Sequence, residues 1–185
     1  MPTKPDSNRF HMSKFLWLLA PFFPLCMHAQ GANTQWIPYY HSDFTVVFPS
    51  DWELDTSHQM NTSFFLFSPL SGKNDKFREN INLMIQDLSQ HQADLDQYVK
   101  LTESQIRMYI EQGLLLTSER KTSGGRAFQH MTYTGKQSGS SLMFEQYIWV
   151  LGKEAFVLTF TCRAETYDQY KTVGQKILNS FRINR

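Results

Sequence analysis

The apolar residues of this chain keep two different periods, and the places where the period changes divide it into elements. Leu95, Tyr98, Thr102, Ile106, Tyr109 and Ile110 recur at spacings of three and four, with Val99 beside them. That stripe predicts a helix of about five turns. Asp94 with Gln97 three residues on has the form of a capping box, and Gly113 is the expected left-handed stop. Just upstream the period is two: Ile81, Leu83 and Ile85 alternate with Asn82, Met84 and Gln86. A strand buried on one face, with Met84 partly covering the other, follows from that alternation.

Strand patterns surround this pair. Residues 36–67 read as strands around one break, where Phe44-Thr45-Val46-Val47-Phe48 meets the turn chemistry of Pro49-Ser50-Asp51 and a second run occupies 60–67. Four more strands are expected after the helix, at 114–119, 127–133, 142–151 and 155–162. They are separated by Ser123-Gly124-Gly125, by 135–139, and by Gly152-Lys153-Glu154, which predicts a tight hairpin. A second helix is expected over 165–181, where Tyr170, Val173, Gly174, Ile177 and Phe181 share a face. Gly174 in that stripe predicts a close approach of the helix backbone to what it covers. Antiparallel strands with two amphipathic helices make an α+β domain.

The amino-terminal residues carry a different signal. Arg9 and Lys14 precede an unbroken apolar run of 13 residues, 15–27, which ends in His28-Ala29-Gln30. That length suits the core of a secretory signal and falls short of the roughly 18 to 20 residues a bilayer-spanning helix requires. Residues 1–29 are therefore expected to be a signal peptide cleaved near Ala29, and residues 30–185 a single extracytoplasmic domain, periplasmic or secreted. Met27 is large for its place before the cut, so the site shifts by a residue either way, and Met12 is as suitable a start as Met1. Cys26 follows Phe23-Pro24-Leu25 rather than the small residues of a lipoprotein signal, and Pro21 and Pro24 break the rival reading as an internal helix.

Of the 18 basic and 17 acidic residues, three and one lie in this leader, which leaves 15 and 16 in the mature chain. That balance carries no nucleic-acid footprint, and no transmembrane segment is expected in the mature chain. With Cys26 removed, Cys162 stands alone in the strand-like run Phe156-Val157-Leu158-Thr159-Phe160-Thr161-Cys162, where a buried inert thiol is expected.

Phe48-Pro49-Ser50-Asp51-Trp52, Ser68-Pro69 with the polar loop after it, Glu79-Asn80-Ile81-Asn82 and the closing Ser180-Phe181 resemble the PsbP-like superfamily. This group includes the lumenal photosystem II subunit PsbP, the envelope protein DcrB and many secreted bacterial proteins. The order of elements matches along residues 43–183. The resemblance implies an α/β/α sandwich, a central antiparallel sheet flanked by helices, with no catalytic residues to carry over. The chain lacks the long amino-terminal arm of PsbP, so photosystem binding is not implied. Trp52 reads as a core anchor, and Asn80 and Asn82 as strand-entry hydrogen bonders rather than cation ligands.

Other signals fail on inspection. His41, His58, His91 and His130 show no ligand spacing, Gly135-Lys136-Gln137 lacks the Ser or Thr of a phosphate loop, and Ser138-Gly139-Ser140-Ser141 lacks the frame of a nucleophile elbow. Asn61-Thr62-Ser63 is a glycosylation sequon, which matters only in a eukaryotic secretory pathway. No catalytic, cofactor-binding or metal-binding residue is therefore assigned. The expected function is a noncatalytic extracytoplasmic accessory or binding module with a protein or envelope partner. The candidate interaction loop spans 71–79 and carries Lys73, Asp75, Lys76, Phe77 and Arg78, with Phe77 either anchoring an interface or turning inward. The alternative is a small secreted hydrolase or ligand-pocket protein using His130, Glu145 and Tyr147, which strand alternation brings onto shared faces.

Overall fold

A computed structural model describes residues 34–185 apart from His91 and Gln92. The expected leader with its cleavage point near Ala29, Cys26 and His91 lie outside the described residues. The first strands are β1 (Trp36–Tyr40), β2 (Phe44–Pro49), β3 (Glu53–Asp55), β4 (Phe64–Phe67) and β5 (Asn80–Asp87). Helix α1 (Leu95–Tyr109) follows, then β6 (Glu111–Ser123), β7 (Arg126–Gln137), β8 (Ser140–Leu151), β9 (Glu154–Arg163), α2 (Tyr167–Ser180) and β10 (Arg182–Ile183). Seven strands form one antiparallel sheet in the order β3-β4-β5-β9-β8-β7-β6, and β1-β2-β10 form a second, smaller one. Among the described residues no helix is long and apolar enough to cross a membrane.

The alternation on β9 organises both sides of the large sheet. Phe156, Leu158, Phe160 and Cys162 join Phe44, Phe48, Trp52, Ile177, Leu178 and Phe181 in one buried cluster beneath α2 and the small sheet. Ala155 and Val157, pointing the other way, join Tyr98 and Ile106 of α1 with Met131, Tyr133 and Ile148 in another. Trp52 is buried in the first cluster, as expected of an anchor. A Cβ on Gly174 would lie 2.6 Å from the Phe160 ring, so α2 does approach the sheet closely at its glycine.

Local chemistry explains the boundaries. Asp94 accepts from the Gln97 amide at 2.8 Å while the Gln97 side chain accepts from the Asp94 amide at 3.0 Å, completing the capping box. Gly113 is not the left-handed stop that was expected: that conformation falls on Gln112, with φ 53°. Gly113 matters instead for space, because a side chain there would run into the Ile106 carbonyl at the end of α1. The strand expected from residue 60 begins only at Phe64, since His58, Met60 and Asn61 all take left-handed backbone in a short turn. Phe181 follows α2 rather than belonging to it, and leads into β10, which pairs with β2 and has no pattern of its own in the sequence.

Candidate functional site

Helix α1 covers only part of its side of the sheet. Along β9 the face that carries Ala155 and Val157 continues with Thr159, Thr161 and Arg163, and along β5 it continues from Met84 to Asn82 and Asn80. At this end a cleft of about 470 Å³ opens. Phe65, Asn80, Asn82, Leu142, Thr161 and Arg163 line it from the strands, Lys76 and Phe77 from the loop, and Met60 from the turn before β4. Gln137, Ser138 and Ser140 complete it from the β7–β8 hairpin. That hairpin is tighter than its glycines suggested: Gln137 pairs with Ser140, and Ser138 and Gly139 have φ of 50° and 80°, the two left-handed residues of a type I′ turn.

The loop is held in place by its own polar side chains. Asp75 accepts from the Ser71 amide at 3.1 Å, the Ser71 hydroxyl at 2.8 Å and the Phe77 amide at 3.1 Å. Those bonds, with the Ser71 amide foremost, hold the Asp75 carboxyl below its ordinary value. Arg78 donates to the carbonyls of Ser68 at 2.6 Å and Phe67 at 3.2 Å and to Glu53 at 2.6 Å, so its donors tie the loop to β3 and β4. Phe77 is half-buried against Arg163, whose guanidinium carbon lies 5.4 Å from the ring centroid. Lys73 is exposed. Of the loop residues singled out from sequence, the cleft therefore takes Phe77 and Lys76 directly, while Asp75 and Arg78 shape the loop behind it.

What distinguishes the cleft is hydrogen-bonding capacity that the fold leaves unused. Asn82, Thr161, Gln137, Ser138 and Ser140 make no side-chain hydrogen bond among the described residues. Arg163 reaches Asp75 and Glu165 only at 3.5 Å each. Nearby on the same face Gln146, 8% exposed, donates to Thr159 at 2.9 Å but leaves its carbonyl oxygen without a partner. No carboxylate stands among the described lining residues, which include the cations Lys76 and Arg163.

The other sequence-predicted group, His130, Glu145 and Tyr147, also meets, on the opposite face. His130 Nε2 lies 2.8 Å from Glu145 Oε1, and the Tyr147 ring stands edge-on to the imidazole at 4.9 Å. Lys121 Nζ sits 2.7 Å from His130 Nδ1; an ammonium only donates, so Nε2 carries the proton given to Glu145. Gln175 donates to both Glu145 oxygens, at 3.2 and 3.1 Å, and Tyr167 to Oε2 at 3.2 Å. Burial opposes ionisation of Glu145, but the donors led by His130 outweigh it and hold the carboxyl below its ordinary value. Each oxygen already accepts two bonds. This network fastens α2 to β8 and β7.

Thr161, Arg163 and Leu142 carry no spacing signal as cleft residues because register brings them to the loop: Arg163 stands opposite Leu142, and Thr161 opposite both Asn80 and Phe144. A signal existed in the alternation of Asn80, Asn82, Thr159 and Thr161 with buried apolar neighbours.

No protein-family model matches the chain, and no curated protein matches it. Solved structures do. PA94 of Pseudomonas aeruginosa, a protein of unknown function, is similar with a TM-score of 0.57 and 15% identity, over 79% of this chain and 95% of that one. The cyanobacterial PsbP of Synechocystis sp. PCC 6803 is similar with a TM-score of 0.55 and 12% identity, over 87% and 99%. LpqN of Mycobacterium tuberculosis, involved in cell envelope biogenesis, is similar with a TM-score of 0.55 and 13% identity, over 90% and 100%. The fold is thus PsbP-like, with a large antiparallel sheet and two helices.

Proposed function

We propose that this PsbP-like chain is a noncatalytic extracytoplasmic binding module, layered as an α/β/α sandwich, which docks a protein or envelope partner through the cleft and the loop 71–79. The observation that carries this reading is the gathering of unengaged polar groups, two cations and the apolar surfaces of Met60 and Phe77 in one concavity. The His130–Glu145 group, by contrast, has its hydrogen bonds satisfied within the fold. The envelope role of LpqN, a structure of the same fold, favours a partner of that compartment.

The test compares the purified protein with its Phe77→Ala and Arg163→Ala variants as bait for envelope extracts. A partner retained by the native protein and lost from both variants, at unchanged melting midpoints, is the expected result. Equal retention by all three removes the cleft from the interface. Loss of stability in Phe77→Ala would mean that this ring caps the sheet. The address is tested separately by amino-terminal sequencing of the exported protein, expected to start at Gln30 or Gly31; a cytoplasmic product that keeps residues 1–29 would overturn it.

A further inference from the structure

We infer that the cleft recognises the free carboxy-terminus of a polypeptide that ends in an apolar residue; this rests on the binding reading above and names what is bound. The last residue of a chain carries its carboxylate and its side chain on one Cα, so a receptor for it needs a cation and an apolar surface side by side. Arg163 and the half-buried Phe77 stand together in the cleft, with the guanidinium carbon 5.4 Å from the ring centroid, which places those two chemistries next to each other. Leu142 and Phe65 are buried and close the floor, while Phe77 and the exposed Met60 supply the apolar surface.

Arg163 is suited to the carboxylate. Its two ion pairs, to Asp75 and Glu165, are long at 3.5 Å. A planar guanidinium has five donors matched to a carboxylate, and Lys76 adds a second cation with no ion pair among the described residues. No acid stands among the described lining residues, so an incoming carboxylate competes for Arg163 only with Asp75 and Glu165, which flank the guanidinium from outside the cleft.

The remaining lining groups fit the peptide units that precede the terminus. Asn82 offers an amide with both a donor and an acceptor, and Thr161 a hydroxyl, each without a side-chain partner among the described residues. These are the groups that satisfy the N–H and C=O of a short extended segment. A bare fatty acid would leave them desolvated and unpaired.

The experiment titrates the isotope-labelled protein with acetyl-Gly-Ser-Ala-Gly-Phe as the free acid and as its carboxy-terminal amide, following backbone amide signals. The free acid is expected to shift Phe77, Leu142 and Arg163, and the amide to bind at least about tenfold more weakly, as loss of a charge-assisted bond implies. Arg163→Gln, checked for a preserved spectrum, is expected to abolish the difference between acid and amide. Equal affinity of the two peptides overturns recognition of the terminus and leaves the binding module standing. Acetylphenylalanine binding as tightly as the pentapeptide overturns the peptide and leaves a small organic anion. Absence of any shift at millimolar peptide overturns the inference outright, and the binding reading then stands or falls on the partner-retention comparison alone.

Discussion

Gly174 and Phe160 meet where α2 crosses β9, with the space for a Cβ on the glycine lying 2.6 Å from the ring. Replacing Gly174 with Ala gains about 1 kcal/mol of helix propensity. It also drives a methyl into a ring fixed in the core, at a cost of about 1–3 kcal/mol. The expected outcome is net destabilisation in urea denaturation. Phe160→Leu in the same chain should recover part of it, so the two substitutions will not add.

Phe181 is 3% exposed and lies 5.7 Å from Phe44 and 5.4 Å from Trp149, ring to ring, so it joins the end of α2 to both sheets. Phe181→Ala should cost about 3–5 kcal/mol. A melting midpoint that does not move would contradict this packing.

Cys162 is fully buried, and burial pushes its thiol up to about 12 from 9.0. The folded value lies above the unfolded one, so its contribution to stability is complete below pH 9.0 and is lost as pH rises toward 12. Cys162→Ala should shallow the alkaline fall in stability. Native protein should react with a thiol reagent only at the rate at which it opens, and rapid labelling at neutral pH would show the site to be accessible.

Glu145 works in the opposite direction. Its folded value lies below the ordinary 4.5, so its stabilisation is present above that value and is lost as pH falls through the folded value. Glu145→Gln should flatten the acid limb of a melting-midpoint profile. Glu145→Ala strands Tyr167, Gln175 and His130 without their acceptor and should cost about 1–3 kcal/mol for each buried donor left unsatisfied.

Much of this architecture was legible in the sequence because period and capping are local properties. The alternation on residues 81–86 became β5, the stripe from Leu95 became α1 with its Asp94 cap, and Gly152-Lys153 became a two-residue hairpin. The small sheet was not legible, since β10 is two residues long and exists only because β2 offers it an edge. The cleft was half legible: Phe77 stood out as an aromatic among charges, but its companions Leu142 and Arg163 belong to distant strands. Pairwise register, which places residues 142 and 163 opposite each other, is decided by the whole sheet.

The pairing of β10 with β2 sets an order in time. Thr45 and Asn184, joined at that edge, are 139 positions apart. On a growing polypeptide, β2 emerges long before the strand and helix that shelter it, and Phe44, Phe48 and Trp52 must wait for them. The shelter of these aromatics in the finished fold therefore depends on contacts that close almost the whole length of the described chain.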